Sequence, residues 1–163
     1  MIRPFLRYPD KRLRSAAMSV DAIDDAQLAL WDDMVETMEA MPGIGLAAPQ
    51  IGEMVALAIV DASQKRGEVV YLANPAVIGA SETTQIIEEA SPNLPSASAK
   101  IARPDWVDVA FLNREGRPEQ RRFEGLWATS VQHQIDHLAG KMYFDRLSKV
   151  KRDMLLRRAR KGR

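Results

Sequence analysis

The spacing of apolar residues changes twice along the chain, and each change marks a different kind of element. Over residues 24–40, Leu28, Trp31, Val35 and Met38 recur every three or four positions, the interval that lines up one face of a helix. Asp24 can cap that helix with Gln27 reaching back, and Pro42-Gly43 ends it. Between Val55 and Phe123 the texture shortens to β-rich pieces separated by turn residues, which predicts strands over 55–60, 68–72, 84–89, 106–112 and 120–123. Val107, Val109 and Phe111 alternate with Asp108 and Ala110, and Asn113-Arg114-Glu115-Gly116 supplies a hairpin turn. Helical spacing returns over 125–139, where Ala128, Val131, Ile135 and Leu138 share one face and Ser130, His133 and His137 the next. Gly140 is placed to stop this helix in the left-handed conformation. Packing of the apolar face turns the histidines toward a sheet. A further helix is predicted from about Ser148. The pattern is α+β: antiparallel sheets around a central helix, without internal repeats.

Composition narrows this little. At 163 residues the chain reads as one domain, a body over 1–148 with a basic helical tail over 149–163, and 46% hydrophobic and 28% charged residues are ordinary for a globular protein. No apolar run approaches the ~20 residues needed to span a bilayer, so no membrane partner is expected. The start, Met1-Ile2-Arg3-Pro4-Phe5, shows no basic-then-apolar signal region, and there is no cysteine for a disulfide scaffold, so a cytoplasmic location is expected. The net charge of +1 is unevenly spread: residues 149–163 hold eight basic side chains against Asp153 alone. Such a tail is either a solvated terminal helix or a contact for RNA or the ribosome.

The chemistry concentrates in Val131-Gln132-His133-Gln134-Ile135-Asp136-His137-Leu138, which contains both histidines of the chain. Histidines at i and i+4 lie one above the other on a helix, the geometry that offers two imidazoles to one metal ion. A hydrolytic site of this type needs an acid/base carboxylate beside the first histidine, and Gln134 stands there. Two other segments stand out: Gly43-Ile44-Gly45-Leu46-Ala47-Ala48-Pro49-Gln50 and Glu88-Glu89-Ala90-Ser91-Pro92-Asn93-Leu94-Pro95. By itself the first is no more than a glycine-rich turn that permits close backbone approach.

In this order and spacing the three segments resemble the peptide deformylases, metal enzymes that remove the formyl group from the N-terminal methionine of new bacterial proteins. The family's motifs run G-x-G-L-A-A-P-Q, E-G-C-L-S and Q-H-E-x-D-H. The first is intact at 43–50, the third is intact except for Gln134, and the likeness extends over essentially the whole chain, including 6–14 and Leu138-Ala139-Gly140-Lys141. The resemblance implies the deformylase fold, a peptide cleft along Gly43, Ile44, Gly45 and Gln50, Gln50 as an oxyanion donor, and His133 and His137 as metal ligands.

Aligning Glu89-Ala90-Ser91-Pro92-Asn93 on E-G-C-L-S exposes three departures. Ser91 replaces the cysteine ligand, and a neutral hydroxyl binds zinc or ferrous iron weakly. Gln134 replaces the glutamate that shuttles the proton, and an amide cannot, which removes a contribution of roughly 10²–10⁴. Pro92 replaces the leucine whose N–H helps hold the oxyanion; proline has none, a loss of about 10²–10³. Glu89 and Asp136 are acidic in the family as well and are expected as structural partners, Glu89 pairing with Arg103. The expectation is a divergent, deformylase-like pseudoenzyme that keeps a cleft for N-terminal peptides of nascent chains. Any zinc or iron at His133 and His137 is expected to be weakly held, and no DNA partner is expected. Two alternatives stay open: a ribosome- or RNA-associated binding module using the basic C-terminal helix, and a metallohydrolase that still deformylates formyl-methionine through a weakened or non-standard metal site.

Overall fold

The computed structural model describes residues 1–162, so the last residue of the predicted tail, Arg163, lies outside the described residues. Helix α1 (Asp25–Ala40) is followed by β1 (Gly45–Ala47), β2 (Leu57–Val60), β3 (Val70–Ala80), β4 (Thr84–Glu89), β5 (Ala99–Pro104), β6 (Trp106–Leu112) and β7 (Pro118–Glu124), then α2 (Gly125–Leu138) and α3 (Lys149–Lys161). Every strand pairing is antiparallel: β1-β2-β3-β6-β7 form one sheet and β4-β5 a separate hairpin. The α+β architecture expected from the sequence, antiparallel sheets with a central histidine-bearing helix and a C-terminal helix, is what is found.

Local chemistry explains the element ends. The Asp24 side chain accepts from the Ala26 N–H while Gln27 Oε1 accepts from the Asp24 N–H, the reciprocal cap read from the sequence. At the far end, Ser148 caps α3 by accepting from the Lys151 N–H. The β1-β2 end of the large sheet is covered on both faces. Leu57 and Ile59 pack with Trp31, Met34 and Met38 of α1, while Val60 joins Leu72, Val107, Val109, Ala128 and Val131 beneath α2. Helix α3 closes a third cluster through Leu155 and Ala159, against Leu13, Leu94, Tyr143 and Phe144.

The strands differ from expectation in three places. β3 runs on to Ala80, well beyond the predicted end at Leu72: Asn74-Pro75 sits in a register shift between Ala73 and Ala76, where a residue without N–H is tolerated. The short β1 and all of β5 were not foreseen. β1 is buried throughout and shows no alternation, and β5 turns a charged residue, Arg103, inward.

Candidate active site

The apolar face of α2 is spent on the large sheet, which turns His133 toward the end of β4. The helix stops at Gly140, where φ is 77° and a Cβ would lie 2.8 Å from the backbone of Arg14. Both conditions select glycine, so the helix end is set closely against the N-terminal segment.

His133 Nε2 and His137 Nε2 are 3.1 Å apart and both rings are buried. His133 Nδ1 lies 2.8 Å from Glu89 Oε1. Because that carboxylate accepts, His133 donates from Nδ1 and turns its Nε2 toward His137. Glu89 in turn accepts from Arg103 Nε and Nη2 at 2.6 and 2.8 Å, Arg103 Nη1 donates to Asp136 at 2.9 Å, and Arg146 donates twice to Asp136. Glu89 and Asp136 therefore serve as structural partners, as the sequence suggested. Burial opposes charge on both, but the donors around them outweigh it: His133 and Arg103 hold Glu89, and Arg146 and Arg103 hold Asp136, below the ordinary carboxyl range. His137 is pushed the other way. Burial first, then repulsion from His133, Arg103 and Arg14, holds it well below the usual histidine value, so its ring is neutral. Tyr143 stacks on His133 with ring centroids 5.9 Å apart, and burial, reinforced by Glu89, pushes its hydroxyl up to about 12.

The opposite wall is held by neutral hydrogen bonds. Gln50 Oε1 accepts from the Ala47 N–H at 2.9 Å, and Gln50 Nε2 donates to Asn93 Oδ1 at 2.8 Å. Ser91 Oγ donates to the same Asn93 oxygen at 3.1 Å. Asn93, fully buried, also donates from Nδ2 to the carbonyls of Leu6 and Gln50, while its own carbonyl accepts from the Tyr8 N–H. This amide clamps the N-terminal segment to the cleft and engages one of the two N–H groups of Gln50 Nε2. Its place in the second motif was visible in the sequence, but its reach to Leu6 was not. Arg146 and the stacking of Tyr143 were likewise not foreseen.

Between the walls lies a cavity of about 390 Å³, and Gly43, Ile44, Gly45, Gln50, Ser91, Pro92, His133 and Gln134 all line it; His137 lies behind His133 and does not. Gln134 is buried, and its Oε1 has no hydrogen-bond partner. A Cβ at Gly45 would lie 2.5 Å from both Gln134 Nε2 and Ser130 Oγ, so any larger residue there would force those side chains to shift. Two imidazoles with converging Nε2 atoms supply part of a zinc or iron donor set. Ser91 on the cavity wall offers only a hydroxyl that hydrogen-bonds Asn93, and among the described residues no group of three or more His, Cys, Asp or Glu is arranged to hold a metal. The residues present do not fit a three-ligand hydrolytic metal site.

Residues 2–153 match the family model described as polypeptide deformylase. The chain belongs to the peptide deformylase family. It is 41% identical over 164 residues to a peptide deformylase of Rhizobium meliloti, covering 99% of this chain and 94% of that protein, and 39% identical over 166 residues to one from Methylocella silvestris, covering 99% and 85%. A peptide deformylase structure from Legionella pneumophila superposes with a TM-score of 0.92 at 37% identity, covering 99% of this chain and 95% of that one. These are likenesses to proteins named as deformylases along most of their length. They carry the family and the fold, and they lend no support to a loss of deformylase activity. Among the described residues no helix is long and apolar enough to cross a membrane.

Proposed function

We propose that the chain binds the N-terminal end of a peptide in the deformylase cleft and hydrolyses its formyl group far more slowly than an ordinary member of the family. The observation that carries this reading is the donor set: Ser91 hydrogen-bonded to Asn93, and Gln134 where a proton-transferring carboxylate is needed. Gln50 Nε2, the oxyanion donor that the family resemblance implies, is engaged by Asn93, and Pro92 has no N–H to offer beside it. An extended peptide laid along a strand edge suits a cleft bounded by β4 and residues 43–45. The test is formate release from a formyl-methionyl peptide with zinc or ferrous iron in excess; turnover within tenfold of an ordinary family member overturns the reading.

Whole-length likeness to named deformylases favours a second reading, in which formyl-methionine is still hydrolysed through a weakened or non-standard metal site at His133 and His137. The same assay decides between the two. Ribosome association through α3 is supported by its packing: Leu155 and Ala159 face the core while Lys149, Lys151, Arg157, Arg158, Arg160 and Lys161 are exposed. Cosedimentation with ribosomes should fall when residues 149–163 are removed; unchanged cosedimentation eliminates that role.

A further inference from the structure

We infer that a groove between β5 and α3 is a docking site for an acidic protein segment that carries apolar side chains between its carboxylates. The groove has a volume of about 260 Å³ and shares no lining residue with the cleft described above. Lys100 of β5 and Lys151 and Arg158 of α3 form its rim, and Leu147, Met154 and Leu155 its floor. Lys151 and Arg158 stand seven residues apart on the helix, which puts them about 10 Å apart along its axis, and Lys100 comes from the strand on the other side. Among the described residues none of the three forms an ion pair, whereas Arg14, Arg103, Arg122 and Lys149 are each matched to a carboxylate. Glu88, opposite Lys100 in the β4-β5 register, accepts from Ser98 Oγ at 2.7 Å and does not line the groove. Three unmatched cations around one depression call for an anion.

The floor decides which anion. Met154 lies between Lys151 and Arg158 on the helix and is 45% exposed, a large apolar side chain left in contact with water. A flexible thioether adapts its shape to an aliphatic neighbour, and covering it removes apolar surface from solvent. A nucleic acid gains little there: its backbone offers charge without apolar side chains, and no aromatic residue lines the groove for a base to stack on. A peptide with two carboxylates flanking leucine-like residues uses the rim and the floor together, and each surface ion pair, weak alone, is reinforced by the others. The site is also distinct from a general basic helix surface, because Lys149, Arg157, Arg160 and Lys161 lie outside it and Lys100 belongs to the sheet.

The experiment is an amide NMR titration of the full chain with an end-blocked peptide, Gly-Glu-Leu-Leu-Glu-Gly, beside the same peptide with serines for leucines and an oligouridylate. The leucine peptide should shift the amides of Ser98, Lys100, Lys151, Met154 and Arg158 with a Kd below about 1 mM, and the serine peptide should bind at least about tenfold more weakly. Lys100→Glu should weaken the leucine peptide by at least about tenfold. Met154→Lys separates the two anions: it adds a positive charge but removes the apolar floor, so it should weaken the leucine peptide and strengthen the oligouridylate. Both positions are exposed, and an otherwise unchanged amide spectrum verifies that the variants fold. Shifts outside the groove, no binding of the leucine peptide, or stronger peptide binding by Met154→Lys overturns the inference. Tighter binding of the oligouridylate than of the leucine peptide at these residues also overturns it and makes the groove a nucleic-acid surface.

Discussion

The two walls of the cleft are held together by different kinds of bond. On the α2 side a chain of charges runs from Arg146 through Asp136, Arg103 and Glu89 to His133, with the Arg103 guanidinium wholly out of water. On the other side Gln50, Ser91 and Asn93 share uncharged hydrogen bonds. Deleting one member of a buried ionic chain strands its partners and costs about 3–5 kcal/mol, whereas losing a neutral bond costs nearer 1 kcal/mol. The positions read from the sequence as departures from the family motifs, Ser91, Pro92 and Gln134, belong to none of the ion pairs of that chain.

The largest test of that contrast rebuilds chemistry on the unaltered scaffold. Ser91→Cys combined with Gln134→Glu should raise bound zinc toward one equivalent and increase formate release by roughly 10²–10⁴, read by metal analysis and a formate assay. If neither changes, the scaffold is not the preserved part.

Next in size is Arg103→Met, which should cost about 3–5 kcal/mol and lower the melting temperature by roughly 10 °C. Its pH dependence has a definite sign. In the native protein Glu89 and Asp136 titrate below their ordinary values of 4.5 and 3.8, so their contribution is complete above about pH 5 and is lost as pH falls through that range and below. Without Arg103, Glu89 keeps only His133 and Asp136 only Arg146, so the burial that favours the protonated acids is less fully opposed. The deficit of the variant should therefore be greatest near pH 7 and shrink toward pH 4, as chemical denaturation at the two pH values would reveal.

A smaller loss, about 1–3 kcal/mol, is expected for Asn93→Ala, because the carbonyls of Leu6 and Gln50 lose their side-chain donor. Amide exchange should accelerate at Leu6 and Tyr8 before it does in α1. Smallest is Tyr143→Phe: its hydroxyl is buried without a partner, so removal should be neutral or stabilise by up to about 1 kcal/mol in a thermal melt.

What the sequence made legible follows the same division. The cap at Asp24 and Gln27, the alternation in β6 and the glycine stop at position 140 are local signals, and each appears where the pattern put it. β5 escaped because Arg103 occupies an inward position that alternation reserves for apolar residues, and its justification, Glu89 and Asp136, lies 14 and 33 residues away. Within the site, residues of all three motifs line one cavity, but so do Ile87, Ala97, Leu126 and Thr129 from outside the motifs, and His137 does not. That Asn93 would engage the Gln50 amide, or that Tyr143 would cover His133, depends on tertiary neighbours that no short window contains.

The grip of Asn93 on Leu6 and Tyr8 makes the beginning of the polypeptide a structural keystone for a pocket built mostly from residues much later in the chain. Trimming or fusing anything at that end should be felt inside the pocket, and a peptide seated there should in turn shield the first eight residues from proteases.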